Sequence, residues 1–169
     1  MNISLHPLQM SDAEQLFQFE LVNKEFFEET VPPRGDGYYH FENFKAQLKS
    51  LLDEQTQGSS YFYLIRNKQN AIVGRINLTD IDISENLGYL GYRIGANYTG
   101  NGIAGKALRS LLDQVAQKGI QQIKAQTTTH NIASQKVLEN NGFRYIDTDK
   151  EEFEISGQKV SFVYYTWQQ

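Results

Sequence analysis

Residues Tyr98 to Ala107 read YTGNGIAGKA, and this glycine-rich segment directly precedes the clearest helical pattern in the chain. Apolar residues recur from Ile103 to Val115 at the spacing of one helical face, so the segment predicts a turn that opens an α-helix. Glycine has no side chain to hold a ligand away from the main chain, and the first N–H groups of a helix lack acceptors within it. The segment therefore predicts a site for an anion, namely a phosphate or pyrophosphate.

Two common phosphate-binding motifs fit this segment in part. Gly100, Gly102 and Gly105 match the dinucleotide fingerprint G-x-G-x-x-G, but the next expected strand ends without the carboxylate that would hold a ribose hydroxyl. Gly100 to Lys106 also resembles a P-loop, yet Ala107 occupies the place of the Ser or Thr that binds Mg²⁺. Each motif lacks a part of its mechanism, and a glycine-rich turn that binds only water is a further alternative.

Hydrophobic periodicity around the loop predicts an α+β fold. Strands are expected near Ile3 and Leu5 and at 61–66, 71–78, 88–94, 120–127, 143–155 and 159–167, the last two forming a hairpin at Ser156-Gly157. Helices are expected after a capping box of Ser11 and Glu14, from Phe41 to before Gly58, from Gly102 to Lys118, and from Asn131 to Asn141. Val31 to His40 reads as an exposed loop, and short connections indicate an antiparallel first half followed by a βαβ crossover.

Composition narrows the class of protein. The 169 residues are 40% hydrophobic, enough for one core, so a single domain spanning 1–169 is expected. With 16 Lys and Arg against 20 Asp and Glu, the net charge of -4 disfavours nucleic acid and anionic membranes as partners. The chain has no cysteine, its three histidines are scattered, and no long apolar run occurs. Its first ten residues are neither basic nor apolar, so no signal peptide is expected. No metal site and a soluble, cytoplasmic protein are therefore expected.

A second motif lies about thirty residues downstream, N-x-x-S-x-x-V-L-E-x-x-G-F from Asn131 to Phe143. Together the two motifs resemble the GNAT superfamily of acetyl-CoA-dependent N-acetyltransferases, in particular the RimJ/RimL-like branch, which acetylates protein N-termini. The match to the glycine signature of that family rests on Gly100, Gly102 and Ala104, because its usual leading Gln or Arg is absent. Element order agrees over nearly the whole chain. The resemblance implies the GNAT fold, a mostly antiparallel sheet of about seven strands with about four helices, splayed between strands 4 and 5.

The resemblance also implies acetyl-CoA as co-substrate. Its pyrophosphate is expected on the main chain of Thr99, Gly100, Asn101, Gly102, Ile103, Ala104, Gly105 and Lys106. Its pantetheine arm is expected along the splayed strand edge at Tyr92, Arg93 and Ile94, before a bend at Gly95, and beside Asn131 and Ser134. Asn is also among the best residues for capping a helix, so Asn131 has a structural explanation as well.

Acetyl transfer needs an unprotonated amine and a proton for the departing thiolate. Ser134 resembles the serine that Rim-type enzymes place beside the sulfur and is the expected acid, since Leu138 stands where many relatives carry a Tyr acid. Tyr89 stands where relatives often carry a Glu base. The Rim-type branch keeps a carboxylate near the acceptor, so Glu152 and Glu154 are the expected catalytic carboxylates. Further candidates near the expected substrate loop are Glu20, Glu28 and Glu29.

The expected function is transfer of acetyl to a primary amine, either a protein N-terminus or a small amine, by direct attack in a ternary complex. An acidic rim around the acceptor would favour a cationic amine. The missing Tyr and Glu leave an alternative open, a non-catalytic module that binds coenzyme A or a partner on the same fold. An edge hairpin with exposed aromatic residues suggests that two copies pair as a homodimer.

Overall fold

The computed structural model describes residues 1–169 as nine strands and five α-helices. The strands are β1 (Ile3–Pro7), β2 (Tyr61–Asn67), β3 (Ile72–Asp82), β4 (Leu87–Ile94), β5 (Gln122–Thr128), β6 (Arg144–Thr148), β7 (Phe153–Ile155), β8 (Gln158–Val160) and β9 (Phe162–Gln168). The helices are α1 (Ala13–Val22), α2 (Lys24–Glu28), α3 (Phe41–Gln57), α4 (Ile103–Ala116) and α5 (Ile132–Asn140). Short 3-10 helices occur at Met10–Asp12, Asp36–Tyr39 and Ala96–Tyr98.

Seven of the strands form one sheet in the order β1-β2-β3-β4-β5-β9-β6. Only β4 and β5 pair in parallel, and every other neighbouring pair is antiparallel. This arrangement confirms the predicted α+β class and the mixed, mostly antiparallel sheet. The parallel pair is joined by α4, because parallel neighbours need a crossover connection.

The two parallel strands separate partway along their length. Pairing begins at Leu87 with Gln122 and stops at Leu90 with Ala125. Beyond that point β4 continues to Ile94 and stays bonded to β3, while β5 continues to Thr128 and stays bonded to β9. The main chain of residues 91–94 therefore keeps one free edge, and the predicted splay between strands 4 and 5 is confirmed.

Apolar side chains bury both faces of the sheet. One cluster of 18 buried residues lies between the sheet and helices α4 and α5, and a second of 12 lies between the sheet and helices α1 to α3. Ala107, Leu108 and Leu111 of α4 are fully buried, as the helical stripe predicts. Strand alternation directs Tyr92 towards the α4 and α5 face and Arg93 towards the α1 to α3 face.

The N-terminal helical region differs from the prediction. A fifth helix, α2, lies between the expected first helix and the expected loop at Val31 to His40, where no helix was predicted. The capping box is formed by Gln9 and Asp12, not by Ser11 and Glu14, because the Gln9 N–H donates to Asp12 Oδ2 at 2.9 Å. Asp12 also binds Arg66 of β2 at 2.9 Å, and this ion pair ties the helix start to the sheet.

The C-terminal hairpin is also more divided than predicted. The turn at Ser156-Gly157 joins β7 and β8, which form a separate two-stranded ribbon, and β6 ends at Thr148. After the ribbon, β9 enters the sheet between β5 and β6. None of the five helices has both the length and the apolar composition needed to cross a bilayer.

Candidate active site

A cavity of about 830 Å³ opens where β4 and β5 separate. Its wall is formed by β3, β4 and β5, by the segment Tyr98–Gly105 and the start of α5, and by α2 with the loop that follows it. Arginines are the only charged residues in this wall, namely Arg34, Arg75 and Arg93. The acidic rim expected from the sequence is therefore absent from the cavity, because no Asp or Glu lines it.

The glycine-rich segment forms one end of the cavity. Gly100 and Gly102 have φ of +78° and +72°, the left-handed region that glycine adopts without strain. The first helical hydrogen bond of α4 runs from Lys106 N to Gly102 O, so the N–H groups of residues 103–105 have no acceptor within the helix. The N–H groups of residues 99–102 donate to no protein atom. A row of unpartnered amides therefore stands at the start of a helix, as an anion site requires.

Eleven of the thirteen residues expected to bind the co-substrate line this cavity, and Asn101 and Lys106 do not. The eleven are Tyr92, Arg93, Ile94, Thr99, Gly100, Gly102, Ile103, Ala104, Gly105, Asn131 and Ser134. The Asn101 side chain donates instead to the carbonyls of Tyr98 and Thr99 at 3.2 and 3.3 Å. Lys106 Nζ donates to the Met1 carbonyl at 3.0 Å, away from the cavity.

Gly95 does not bend the chain through an unusual backbone angle. Its φ is -61°, and the 3-10 helix Ala96–Tyr98 begins directly after it. Asn23, at the end of α1, fixes this change of direction because its side-chain oxygen accepts from Ala96 N at 2.8 Å. The glycine avoids crowding instead, since a Cβ at this position would lie 3.0 Å from the Phe19 ring.

Ser134 meets a second hydroxyl inside the cavity. Asn131 caps α5, and its side-chain oxygen accepts from Ser134 N at 3.2 Å. This cap holds Ser134 Oγ 2.9 Å from Tyr92 Oη on β4. Burial raises the pKa of Tyr92, and the hydrogen bond from Ser134 only partly opposes that rise. The pair therefore carries its protons at neutral pH and can donate one.

The Tyr92 hydroxyl is a site group that the sequence did not predict, since only the main chain of Tyr92 was expected there. Leu90, Tyr92 and Ile94 alternate along β4 and so share a face, which is the face that α4 and α5 cover. That period-two pattern, together with a serine one turn into the covering helix, was the available signal. Which residue of β4 faces which residue of α5 could not be predicted, because the two elements are far apart in the sequence.

A buried charge cluster occupies the opposite face of the sheet. Glu20 is fully buried and accepts from Arg75 at 2.6 Å and from Arg93 at 3.2 Å, one arginine on each carboxylate oxygen. Tyr38 lies 3.4 Å from the Arg75 guanidinium. Although burial opposes the charge, Glu20 and Tyr38 raise the pKa of Arg75. Glu20, a further base candidate, is thus held as the counter-ion of two arginines.

The two expected catalytic carboxylates are not brought to the cavity. Glu152 and Glu154 are exposed and do not line it. Between them Phe153 packs on Phe162, with ring centroids 4.6 Å apart, and Phe162 is the cavity residue of that pair. Strand alternation places an aromatic ring inward and the carboxylates outward. Glu28 and Glu29 do not line the cavity either.

Comparison with known proteins agrees with this geometry. A family model described as an acetyltransferase (GNAT) domain matches residues 2–144. The probable N-acetyltransferase YjcK of Bacillus subtilis is 25% identical over 158 residues, which cover 92% of this chain and 87% of the relative. The [ribosomal protein uS5]-alanine N-acetyltransferase of Escherichia coli is 28% identical over 150 residues, covering 87% and 77% respectively.

A solved structure shows the same architecture. RimL, a ribosomal L7/L12 alpha-N-protein acetyltransferase in complex with coenzyme A, superposes with a TM-score of 0.89 at 21% identity, covering 99% of this chain and 94% of that chain. The splayed sheet, the amide row at the start of α4 and the family match agree with one another. The chain therefore belongs to the GNAT family of acetyl-CoA-dependent acetyltransferases, in which its relatives include the RimJ/RimL-type N-acetyltransferases.

Proposed function

We propose that this chain, working as one domain over residues 1–169, transfers acetyl from acetyl-CoA to a primary amine by direct attack in a ternary complex. One observation carries the proposal: a row of unpartnered N–H groups at residues 99–105 adjoins the free edge of β4 and the paired hydroxyls of Tyr92 and Ser134. This arrangement offers a phosphate site, a strand edge and a proton donor within one cavity.

The two ends of acetyl-CoA fit different parts of this wall. The amide row from Thr99 to Gly105 would hold the pyrophosphate, because these N–H groups have no competing acceptor. The free edge of residues 91–94 would pair with the amides of the pantetheine arm as an added strand does. RimL, which shares the fold, is known in complex with coenzyme A, and this supports coenzyme A as the ligand of the cavity.

The transfer step balances with the groups present. The amine nitrogen bonds to the carbonyl carbon, the carbon–sulfur bond breaks, and the nitrogen loses one proton to water as it becomes the amide. Ser134 gives its hydroxyl proton to the departing sulfur and takes one from Tyr92, 2.9 Å away, which regains a proton from solvent. Main-chain N–H groups on the β4 edge stabilise the charge that develops on the carbonyl oxygen, an effect worth roughly 3 kcal/mol per donor.

The proton of the incoming ammonium leaves by another route. No carboxylate or imidazole lines the cavity, so a side chain there cannot take it directly. We infer that water accepts it along the polar wall that includes Asn77, Thr127 and Thr128. Glu152 and Glu154 stay candidates only as the far end of such a water chain, and Glu→Gln changes at each position would test that role.

The direct test combines a thiol-release assay over a panel of primary amines with calorimetry of coenzyme A. We expect coenzyme A binding, thiol release on at least one amine, and a fall in kcat of about a hundredfold in Ser134→Ala. Ser50→Ala is the matched control, since Ser50 is exposed on α3 and lies outside the cavity. Binding without release on any amine would instead support a non-catalytic module, and absence of binding would overturn the proposal.

Pairing of two copies as a homodimer stays a prediction, and the edge strand of the sheet offers a way to test it. β6 is an edge strand, and it exposes Tyr145 and Ile146 at 56% and 57%. Exposed aromatic and aliphatic residues on an edge strand favour pairing with another chain. Light scattering of the purified protein should give the mass of a dimer, and Ile146→Asp should return it to the monomer.

A further inference from the structure

The acceptor end of the cavity carries the opposite charge from the one expected. Arg34, Arg75 and Arg93 are the only charged residues that line the cavity, in a chain whose net charge is -4. Glu20 is the one carboxylate paired with them, and its shorter contact, 2.6 Å, is to Arg75. Two guanidinium charges therefore lack a full counter-charge.

Arg34 and Arg93 also have unused hydrogen-bond donors. Arg93 gives a single hydrogen bond, from Nη1 to Glu20, and its guanidinium lies 4.6 Å from the centre of the Phe27 ring. Arg34 makes no hydrogen bond or ion pair and lies 4.7 Å above the Tyr38 ring. Rings hold both guanidiniums in place while most of their N–H groups stay free, which is how a planar cation is prepared to bind a carboxylate or phosphate.

The position of these arginines separates them from the expected phosphate site. Arg93 points to the α1 to α3 face of the sheet, whereas the amide row lies at the start of α4 on the opposite face. On the same face of β4, two residues before Arg93, Gly91 leaves the strand surface uncovered, because a Cβ there would meet nothing within 4 Å. The cavity therefore continues past the strand edge into a space bounded by arginines, where an acceptor approaching from that face would lie.

Two further features point to a ligand in this space. The side-chain oxygen of Asn77, which pairs across from Gly91, is buried and has no hydrogen-bond partner. Burial lowers the pKa of Arg93, Glu20 opposes that fall, and the neighbouring charges of Arg34 and Arg75 add to it. A buried acceptor atom without a donor and a cation crowded by other cations both cost free energy that a bound molecule would recover.

We propose that the acceptor amine belongs to a molecule that carries an anionic group, a carboxylate or a phosphate, and that Arg34 and Arg93 bind this group while Asn77 accepts an N–H beside the reacting nitrogen. This inference rests on the proposed acetyl transfer and specifies its substrate class. An anion bound there would hold the amine near the β4 edge, where the strands separate.

Peptides that differ only in charge would test the proposal by thiol release. Alanyl peptide amides with Glu, Gln or Lys as the second residue supply an anion, a neutral near-isostere and a cation. We expect kcat/KM for Glu to exceed that for Gln by about tenfold or more, with Lys lowest, as a charge-assisted hydrogen bond contributes. Phosphoserine at the same position, and alanyl-glutamine with a free carboxylate, distinguish the sources of the anion.

Variants and a binding measurement keep the outcome decisive. Arg34→Gln, on an exposed loop, should reduce the Glu to Gln ratio at least threefold, while the exposed Arg109→Gln on α4 should leave the ratio unchanged. Equal rates for Glu and Gln, or a preference for Lys, would overturn the anion site and leave acetyl transfer standing. If no peptide releases thiol, calorimetry of acetylated Glu and Gln peptides with the coenzyme A complex decides: tighter binding of the Glu peptide supports the site, and equal binding refutes it.

Discussion

Replacing Glu20 by Gln removes one buried charge and keeps the shape of the side chain. In the native protein each carboxylate oxygen accepts from a different arginine, at 2.6 and 3.2 Å, and the carboxylate is fully buried. The amide of Gln supplies one acceptor and turns an N–H group towards the other guanidinium. Arg75, whose side chain is 7% exposed, would then stay charged without a counter-ion.

The expected loss of stability follows from leaving the Arg75 guanidinium buried without a counter-ion. Breaking a buried ion pair by removing one partner costs about 3–5 kcal/mol, because the remaining charge stays desolvated. For a chain of this size each kcal/mol lowers the melting temperature by about 2–4 °C, so the Glu20→Gln protein should melt roughly 6–20 °C below the native protein. Adding Arg75→Met should recover part of this loss, since the stranded cation is then removed as well.

Calorimetric melting and urea unfolding at pH 7 would measure both effects. Glu14→Gln is the matched control, because Glu14 lies on the same helix, is exposed and makes no ion pair, so its change should stay within about 0.5 kcal/mol. A loss below about 1 kcal/mol for Glu20→Gln, or a double variant less stable than the single one, would refute the view that Glu20 neutralises Arg75.

Three other outcomes follow from the site and the sheet. Tyr92→Phe should lower kcat for thiol release at least about tenfold and leave the KM for acetyl-CoA nearly unchanged, and an unaltered kcat would exclude Tyr92 from the proton path. Gly102→Ala should cost about 1–2 kcal/mol and raise the KM for acetyl-CoA, since its φ of +72° is left-handed, whereas Gly37→Ala should do neither. Burial and a hydrogen bond to Glu139 raise the pKa of Tyr165 to about 12, above its usual value of about 10. The folded state therefore binds this proton more tightly, so stability should fall as the pH rises from about 10 to about 12, and melting curves of Tyr165→Phe should lack that part of the fall.

Local patterns predicted the parts of the fold that depend on local contacts. The apolar stripe of α4 and the glycines before it were readable because helix periodicity and positive-φ turns are properties of a few adjacent residues. The insertion of β9 between β5 and β6 was not readable, because it depends on pairing between residues distant in sequence. The ribbon of β7 and β8 divides what looked like one continuous hairpin for the same reason.

The sequence predicted one end of the site and not the other. The phosphate end follows from main-chain geometry, so its sequence signature was sufficient. The acceptor end depends on side chains from α1, β3 and β4 that meet only in the folded chain. Glu20 follows Leu16 by four residues on α1, and Arg75 interrupts an apolar strand, so each was a charged residue within a buried pattern. A charged residue within a buried pattern was the signal for the cluster. The expectation that Glu152 and Glu154 face the acceptor relied on the resemblance to say which side of the strand meets the acceptor.

Because β4 and β5 pair over a short length, the sheet consists of two halves that are joined by few main-chain hydrogen bonds. Only four residue pairs of the parallel ladder join the half formed by β1–β4 to the half formed by β5, β9 and β6. A ligand arm lying in the gap would add hydrogen bonds to one or both halves of the sheet. Ligand binding and the stability of the sheet are therefore thermodynamically linked. Saturation at a hundred times the dissociation constant would add about 2.7 kcal/mol to the resistance of the whole domain to unfolding. Amide hydrogen exchange should slow most strongly along β4 and β5, the strands at which the two halves of the sheet meet.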